Sequence, residues 1–354
     1  MLDIGADAAT LTAQLIDVES VSGNEARLAD LVETALRAVP ALTVHRDGNV
    51  VLARTTLGRP QRIVLAGHVD TVPVAGNLPS HRDGGRLYGC GSSDMKAGVA
   101  VMLRVAHAVA TGVLDPRTEL SFVAYDCEEI EAARNGLGRI AREQPEVLRG
   151  DLAVVLEPTA GVVEGGCQGT MRAQVRTTGV RAHSARSWLG RNAIHAAGEA
   201  LRRLEDYTPR VVELSGLTYR EGLNAVAISG GVAGNIIPDE CIVTVNYRFA
   251  PDRSVGDAQE HLREVFAGYE VEITDAAPAA PPGLDAALAA EFVAAVGQPP
   301  RAKLGWTDAA RFAELGVPAL NFGPGDPDLA HKPQEYVEVD RIHAAEAALL
   351  AFLS

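Results

Sequence analysis

Aromatic side chains are scarce in this 354-residue sequence, where Phe, Tyr and Trp together make up 5%. Any core must be filled by Ala, Val and Leu. The 47% hydrophobic content is enough to do so, which excludes a disordered chain. Basic charge is short as well: 32 Lys and Arg stand against 46 Asp and Glu, a formal net charge of −14. That balance excludes nucleic acid and anionic membrane as partners, because both need a basic face. Cysteine is limited to Cys90, Cys127, Cys167 and Cys241, with no C-x-x-C pair. This spacing excludes a disulfide framework and predicts a reduced, cytoplasmic chain. The first ten residues lack a charged segment followed by an apolar core, so no secretory signal is expected. The most apolar stretch, 97–114, is interrupted by Arg104 and His107 and predicts a buried helix instead of a membrane span.

The length exceeds that of one ordinary core, so two domains are expected. Helical periodicity covers 8–18 and 26–39, and Ser22 followed by Glu25 predicts a capping box for the second helix. Two β runs, 42–46 and 50–54, flank the hairpin signal Asp47-Gly48. The apolar run 63–65 reads as a central strand buried on both faces, 120–125 and 152–156 read as further strands, and a helix is predicted over 95–111. Alternating strands and helices indicate an α/β sheet. After Met171 the texture changes. Strands are predicted at 171–178, 225–231, 241–249 and 271–274, with helices at 192–207 and 254–269. That β-α-β-β-α-β order describes a small α+β domain. The predicted organisation is a larger α/β domain over 1–170 and 284–354, an inserted domain over 171–276, and an Ala/Pro-rich linker over 277–283.

Side chains suited to metal binding stand just after successive predicted strands, where open α/β sheets build their sites. They are His68 with Asp70, Glu128 with Glu129, Glu157, and His331. Asp94 sits in a glycine-rich turn before a helix. Singly, each is an ordinary strand-end or helix-cap residue; together they form a ligand set. Imidazole nitrogens and carboxylate oxygens suit zinc, and a bidentate carboxylate such as Asp94 can bridge two cations. In Glu128-Glu129 one residue can ligate while its neighbour serves as a general base. Asp70, two residues past His68, is placed to hold the second imidazole nitrogen.

Five segments in order resemble the M20 metallopeptidases: 67–73 (GHVDTVP), 91–98 (GSSDMKAG), 126–129 (DCEE), 156–159 (LEPT) and 330–333 (AHKP). The resemblance implies a zinc-peptidase-like catalytic domain with a mixed, mostly parallel sheet, and an inserted lid or dimerisation domain. It implies two zinc ions, with cobalt able to fill one or both sites. His68 and Glu157 would hold one ion and Glu129 and His331 the other, with Asp94 bridging and Glu128 as the base. His183, reaching in from a partner subunit, would stabilise the oxyanion. Asn235, Arg248, Thr307 and Arg311 would contact substrate, the arginines pairing with carboxylates. The activity implied is hydrolysis of the N-acyl amide of an acylated amino acid by a homodimer. Deacylation of a different amino acid, peptide cleavage, and a non-catalytic metal-binding role remain as rival readings.

Overall fold

The computed structural model describes residues 1–354. Its contacts divide the chain into two units. The first comprises Met1–Gly166, Pro282–Lys303 and Thr307–Ser354, and the second Cys167–Pro281 with Leu304–Trp306.

The first unit is built on eight strands: β1 (Leu42–Asp47), β2 (Val50–Thr55), β3 (Arg62–His68), β4 (Glu119–Tyr125), β5 (Leu152–Val155), β6 (Glu164–Gly165), β7 (Arg301–Ala302) and β8 (Ala319–Asn321). Their order is β1-β2-β4-β3-β5-β8-β6-β7. The β4-β3-β5-β8 centre is parallel throughout, as is the β6/β7 pair. The β1/β2, β2/β4 and β8/β6 pairs are antiparallel. The central strands carry continuous apolar runs because both faces are covered: Ile63, Val64, Leu65, Leu152, Ala153 and Val154 are all inaccessible to solvent. Helices α1 (Ala8–Ile16), α2 (Ala26–Arg37) and α3 (Lys96–Ala110) and the last helix, Val339–Leu353, contribute to the same core.

The core consists mainly of Ala, Val and Leu, as the shortage of aromatics requires, with one cluster of Phe292, Phe322 and Phe352. Small residues permit close approach. A Cβ on Gly98 of α3 would lie 2.2 Å from the carbonyl oxygen of Leu156, immediately after β5. Asp7 caps α1 by accepting from the Ala9 and Thr10 amides. The box expected at α2 does not form. Glu25 is the N-cap residue with no side-chain cap bond, and the Ser22 hydroxyl donates to Asp70 instead, at 2.6 Å. The helix begins at Ala26, so Ser22 stands three residues ahead of the N-cap and cannot reach the first-turn amides as a cap would.

The second unit contains a four-stranded antiparallel sheet, ordered Gly222–Gly230, Glu240–Phe249, Gly169–Thr178, Glu270–Ala277. Helices Ala193–Glu205 and Val255–Val265 complete the predicted β-α-β-β-α-β order. Met171, Ala173, Val175, Val243, Val245 and Tyr247 form its buried face against Ala197, Ala200 and Leu262. A hairpin, Val211–Leu214 with Leu217–Arg220, is additional to the prediction. The Ala/Pro-rich stretch is not a free linker. Ala277 ends a strand, and buried Ala280 exchanges two main-chain hydrogen bonds with Cys167, at 3.2 and 3.0 Å. The prolines there remove only their own N–H donors, so Ala280 keeps its own. No helix is long and apolar enough to cross a membrane.

Candidate active site

Strand β3 delivers His68 to its carboxyl end, fully buried. The Nε2 atom lies 3.1 Å from Asp94 Oδ1. The Nδ1 atom lies 3.1 Å from the Asp70 carbonyl oxygen and 3.4 Å from Asp70 Oδ1. With its proton on Nδ1, the ring presents a lone pair at Nε2, the form a cation requires. Asp70 does more than orient that ring. Its Oδ1 accepts from the Glu128 amide at 3.1 Å, and its Oδ2 accepts from the Glu129 amide at 3.1 Å and from Ser22 Oγ. Burial opposes its charge. The His68 interaction, the Ser22 hydroxyl and the Glu129 amide outweigh burial and hold its pKa below the ordinary carboxylate value.

Strand β4 ends at Tyr125, and Cys127 then adopts a left-handed φ of 57° before Glu128 and Glu129. Glu129 Oε1 lies 2.9 Å from His331 Nε2, which lies 3.4 Å from Asp94 Oδ2. Glu157 follows β5 and is buried. Ligand atoms of His68, Asp94 and Glu157 lie within 4.8 Å of one another, and so do those of Asp94, Glu129 and His331. Asp94 is common to both groups. His68, Glu128 and Glu129 also offer atoms within 4.8 Å of one another.

This donor set fits two cations. Glu157 Oε1 is buried without a hydrogen-bond partner, an arrangement that costs free energy unless a ligand completes it. Four carboxylates, Asp94, Glu128, Glu129 and Glu157, crowd around two imidazoles. Burial, together with the neighbouring Glu157, Asp308 and Glu129 carboxylates, pushes Glu128 well above its ordinary value. Burial and Asp94 push Glu157 up to about 8. Hydrogen bonds to Asp94 and Glu129 raise His331 to about 11. In the metal-free chain, protons neutralise charge that divalent cations are suited to neutralise. The His331 side chain is 52% exposed whereas that of His68 is fully covered, so the site opens on the His331 side.

Asp308 is a residue that the sequence reading missed. It is buried, accepts from Asn135 Nδ2 at 2.9 Å, and contributes to the upward shift of Glu128. In sequence it looks like any residue at a helix start. The expected substrate contacts are variously engaged. Thr307 gives its hydroxyl proton to Asn321 Oδ1 at 2.7 Å, so this donor is committed within the chain. A hydroxyl has one proton, and the buried amide oxygen claims it. Arg311 lies beside Asp308 and Glu314 at 3.7 and 3.5 Å.

In the second unit, His183 is exposed and its Nδ1 accepts from the Ala185 amide at 3.0 Å. A short antiparallel ladder pairs 182–183 with 236–237, and the Ser184 amide donates to the Asn235 carbonyl at 2.9 Å, which brings His183 and Asn235 together. Arg248 Nε donates to Asn246 Oδ1 at 3.2 Å; burial and nearby Arg172 lower its pKa.

The chain belongs to peptidase family M20/M25/M40, whose profile matches residues 64–354. It is 56% identical over 356 residues to a Mycobacterium tuberculosis protein provisionally named succinyl-diaminopimelate desuccinylase, covering 100% of this chain and 99% of that one. It is 46% identical over 361 residues to the Corynebacterium glutamicum succinyl-diaminopimelate desuccinylase, covering 100% and 98%. Among solved structures, a Staphylococcus aureus tripeptidase superposes with a TM-score of 0.81 at 21% identity, covering 100% and 98%. A Bacillus subtilis dinuclear metal-binding peptidase of the M20 family gives a TM-score of 0.73 at 17% identity, covering 99% and 97%. The fold is therefore that of the M20 peptidases, with a mostly parallel central sheet.

Proposed function

We propose that this chain hydrolyses N-succinyl-LL-2,6-diaminopimelate to succinate and LL-2,6-diaminopimelate at a pair of zinc ions, cobalt being able to replace one or both. The observation that carries the choice of substrate is the 56% and 46% identity, over the whole chain, to two relatives bearing that name. His68 and Glu157 would hold one ion and Glu129 and His331 the other, with Asp94, common to both groups, available to each. The bound pair supplies Lewis acidity toward the amide carbonyl and makes water easier to deprotonate.

The chain's own residues perform the rest. Glu128 takes a proton from the attacking water as its oxygen bonds to the amide carbon. His183 of a partner subunit donates a hydrogen bond to the developing oxyanion. The carbon–nitrogen bond then breaks, and Glu128 passes its proton to the departing amine. A residue that first accepts and then donates needs a pKa near the working pH, which supports Glu128 as the base: burial and neighbouring carboxylates raise it, and cations would lower it. Arg248, Arg311, Asn235 and Thr307 recognise the substrate's polar groups; for Thr307 this requires exchange of its bond to Asn321.

The second unit serves as lid and as the interface of a homodimer. Gly222–Gly230 lies at a sheet edge and exposes Val226 and Ile228, and the neighbouring helix exposes Ile194 and Leu201. Such an edge favours pairing with another strand. Replacing Glu128 with Gln should lower turnover about 10²–10⁴-fold with two ions still bound. Near-normal turnover would remove Glu128 from the mechanism. Greater activity toward acetylornithine or a dipeptide than toward the succinyl substrate would overturn the choice of substrate.

A further inference from the structure

The loop carrying Asp94 has an unusual anchor. Residues 91–94 turn tightly into α3, with Gly91 at a φ of 81°. The Gly91, Ser93 and Asp94 amides find no main-chain acceptor in that turn. All three donate to one carboxylate, that of Glu335. Its Oε2 accepts from Gly91 at 3.1 Å, and its Oε1 accepts from Ser93 at 2.7 Å and Asp94 at 3.0 Å. Glu335 is 2% exposed. Its main-chain oxygen also accepts from the Gly89 amide at 3.1 Å, and its own amide donates to the Lys332 carbonyl at 3.0 Å. Glu335 lies four residues beyond His331 in the chain. The side chain therefore ties the loop of the bridging carboxylate to the segment that supplies His331, across more than 200 residues of sequence. Ser93 strengthens the same junction: its hydroxyl donates to the Asp326 carbonyl at 3.0 Å and accepts from the Asp326 amide at 2.7 Å.

We propose that Glu335 is a positioning residue that fixes Asp94 relative to His68 and His331, and so sets the affinity for both ions. The inference rests on the reading of Asp94 and His331 as metal ligands. A carboxyl group suits the task because one rigid group can hold three donors in register on its two oxygens; burial pushes its pKa up to about 7 while the three amides pull it down. Without it, the three amides, two of them buried, lose their acceptor and the Asp94 loop can relax away from the two imidazoles.

The structure offers an internal control. Glu119, at the start of β4, holds a turn in the same way by accepting from the Leu57, Gly58 and Arg59 amides at 2.6, 2.7 and 3.2 Å. It stands at the opposite end of the strand from Glu128. Both anchors stabilise a loop, but only Glu335 reaches the site.

The test is zinc titration of metal-free Glu335→Gln, Glu335→Ala and Glu119→Gln, with thermal unfolding recorded with and without zinc. The Glu335 variants should lose about 10–100-fold in zinc affinity, the usual range for groups that orient ligands. Their zinc-induced rise in Tm should shrink accordingly. Glu119→Gln should lower Tm of the metal-free chain yet bind zinc as the parent does. Parental zinc affinity in Glu335→Gln overturns the proposal, as does an equal loss of affinity in Glu119→Gln. A parent chain that binds no zinc overturns the metal reading itself, a distinguishable result. Should Glu335→Ala fail to fold, Glu335→Gln alone decides, because it keeps the shape and one acceptor oxygen.

Discussion

Replacing Asp70 with Asn tests whether a single buried carboxylate organises both a proposed ligand, His68, and the proposed base, Glu128. Asp70 accepts from Ser22 Oγ and the Glu128 and Glu129 amides and lies against His68 Nδ1. Asparagine keeps one acceptor oxygen and adds an NH2 group. Turned one way, that NH2 meets the Glu128 amide and His68; turned the other, it meets the Glu129 amide. In either orientation one amide faces a donor. A bond to a charged group is worth about 1.5–3 kcal/mol, and an unsatisfied buried donor costs about 1–3 kcal/mol more. Asp70→Asn should therefore lower the stability of the metal-free chain by about 3–5 kcal/mol. Ser22→Ala removes one bond and leaves both amides satisfied, so its loss should be about 1–2 kcal/mol. Metal affinity of Asp70→Asn should fall about 10–100-fold because the His68 ring loses its support. Urea unfolding of the metal-free forms gives the first quantity and zinc titration the second. An Asp70→Asn variant as stable as Ser22→Ala, with parental zinc affinity, would refute the reasoning.

Two further outcomes are expected. Gly98→Ala forces a methyl group to 2.2 Å from the Leu156 carbonyl and 2.9 Å from the Leu156 Cβ. Overpacking of this kind costs about 1–3 kcal/mol, and because Glu157 is the next residue, urea unfolding should report the loss together with weaker zinc binding. Zinc loading at neutral pH should release protons. His331, raised to about 11, and Glu157, raised to about 8, are protonated below those values in the metal-free chain and must give up their protons to ligate. The calorimetric enthalpy should then vary with the ionisation enthalpy of the buffer, and an enthalpy independent of buffer would contradict the charge accounting.

Much of the cluster could be read from sequence because a metal-type side chain at a strand end announces itself locally. His68, Glu128, Glu129 and Glu157 each follow an apolar run, and the structure gathers them as the parallel order of β4, β3 and β5 requires. What escaped is what depends on distant partners. Ser22 three residues before Glu25 has the pattern of a helix cap, yet its hydroxyl is taken by a carboxylate 48 residues away. Asp308 stands at a helix start like many other aspartates, and only burial near Glu128 gives it an electrostatic role. Glu335 acts through main-chain amides, which leave no mark on side-chain patterning. The stretch 277–283 has a linker's composition, but composition does not reveal that Ala280 pairs with Cys167.

The strand order also has a consequence for synthesis. β8 fits between β5 and β6 although more than 150 residues separate it from either in the chain. A ribosome that has passed residue 157 has already produced β3, β4 and β5 with His68, Asp94, Glu128, Glu129 and Glu157, but the flank of β5 stays bare until residues 319–321 emerge. His331 follows later still, 202 positions after its partner Glu129. Four of the five proposed ligands thus precede completion of the sheet, and one late stretch of the nascent chain, 319–331, both seals the hydrophobic seam and supplies His331.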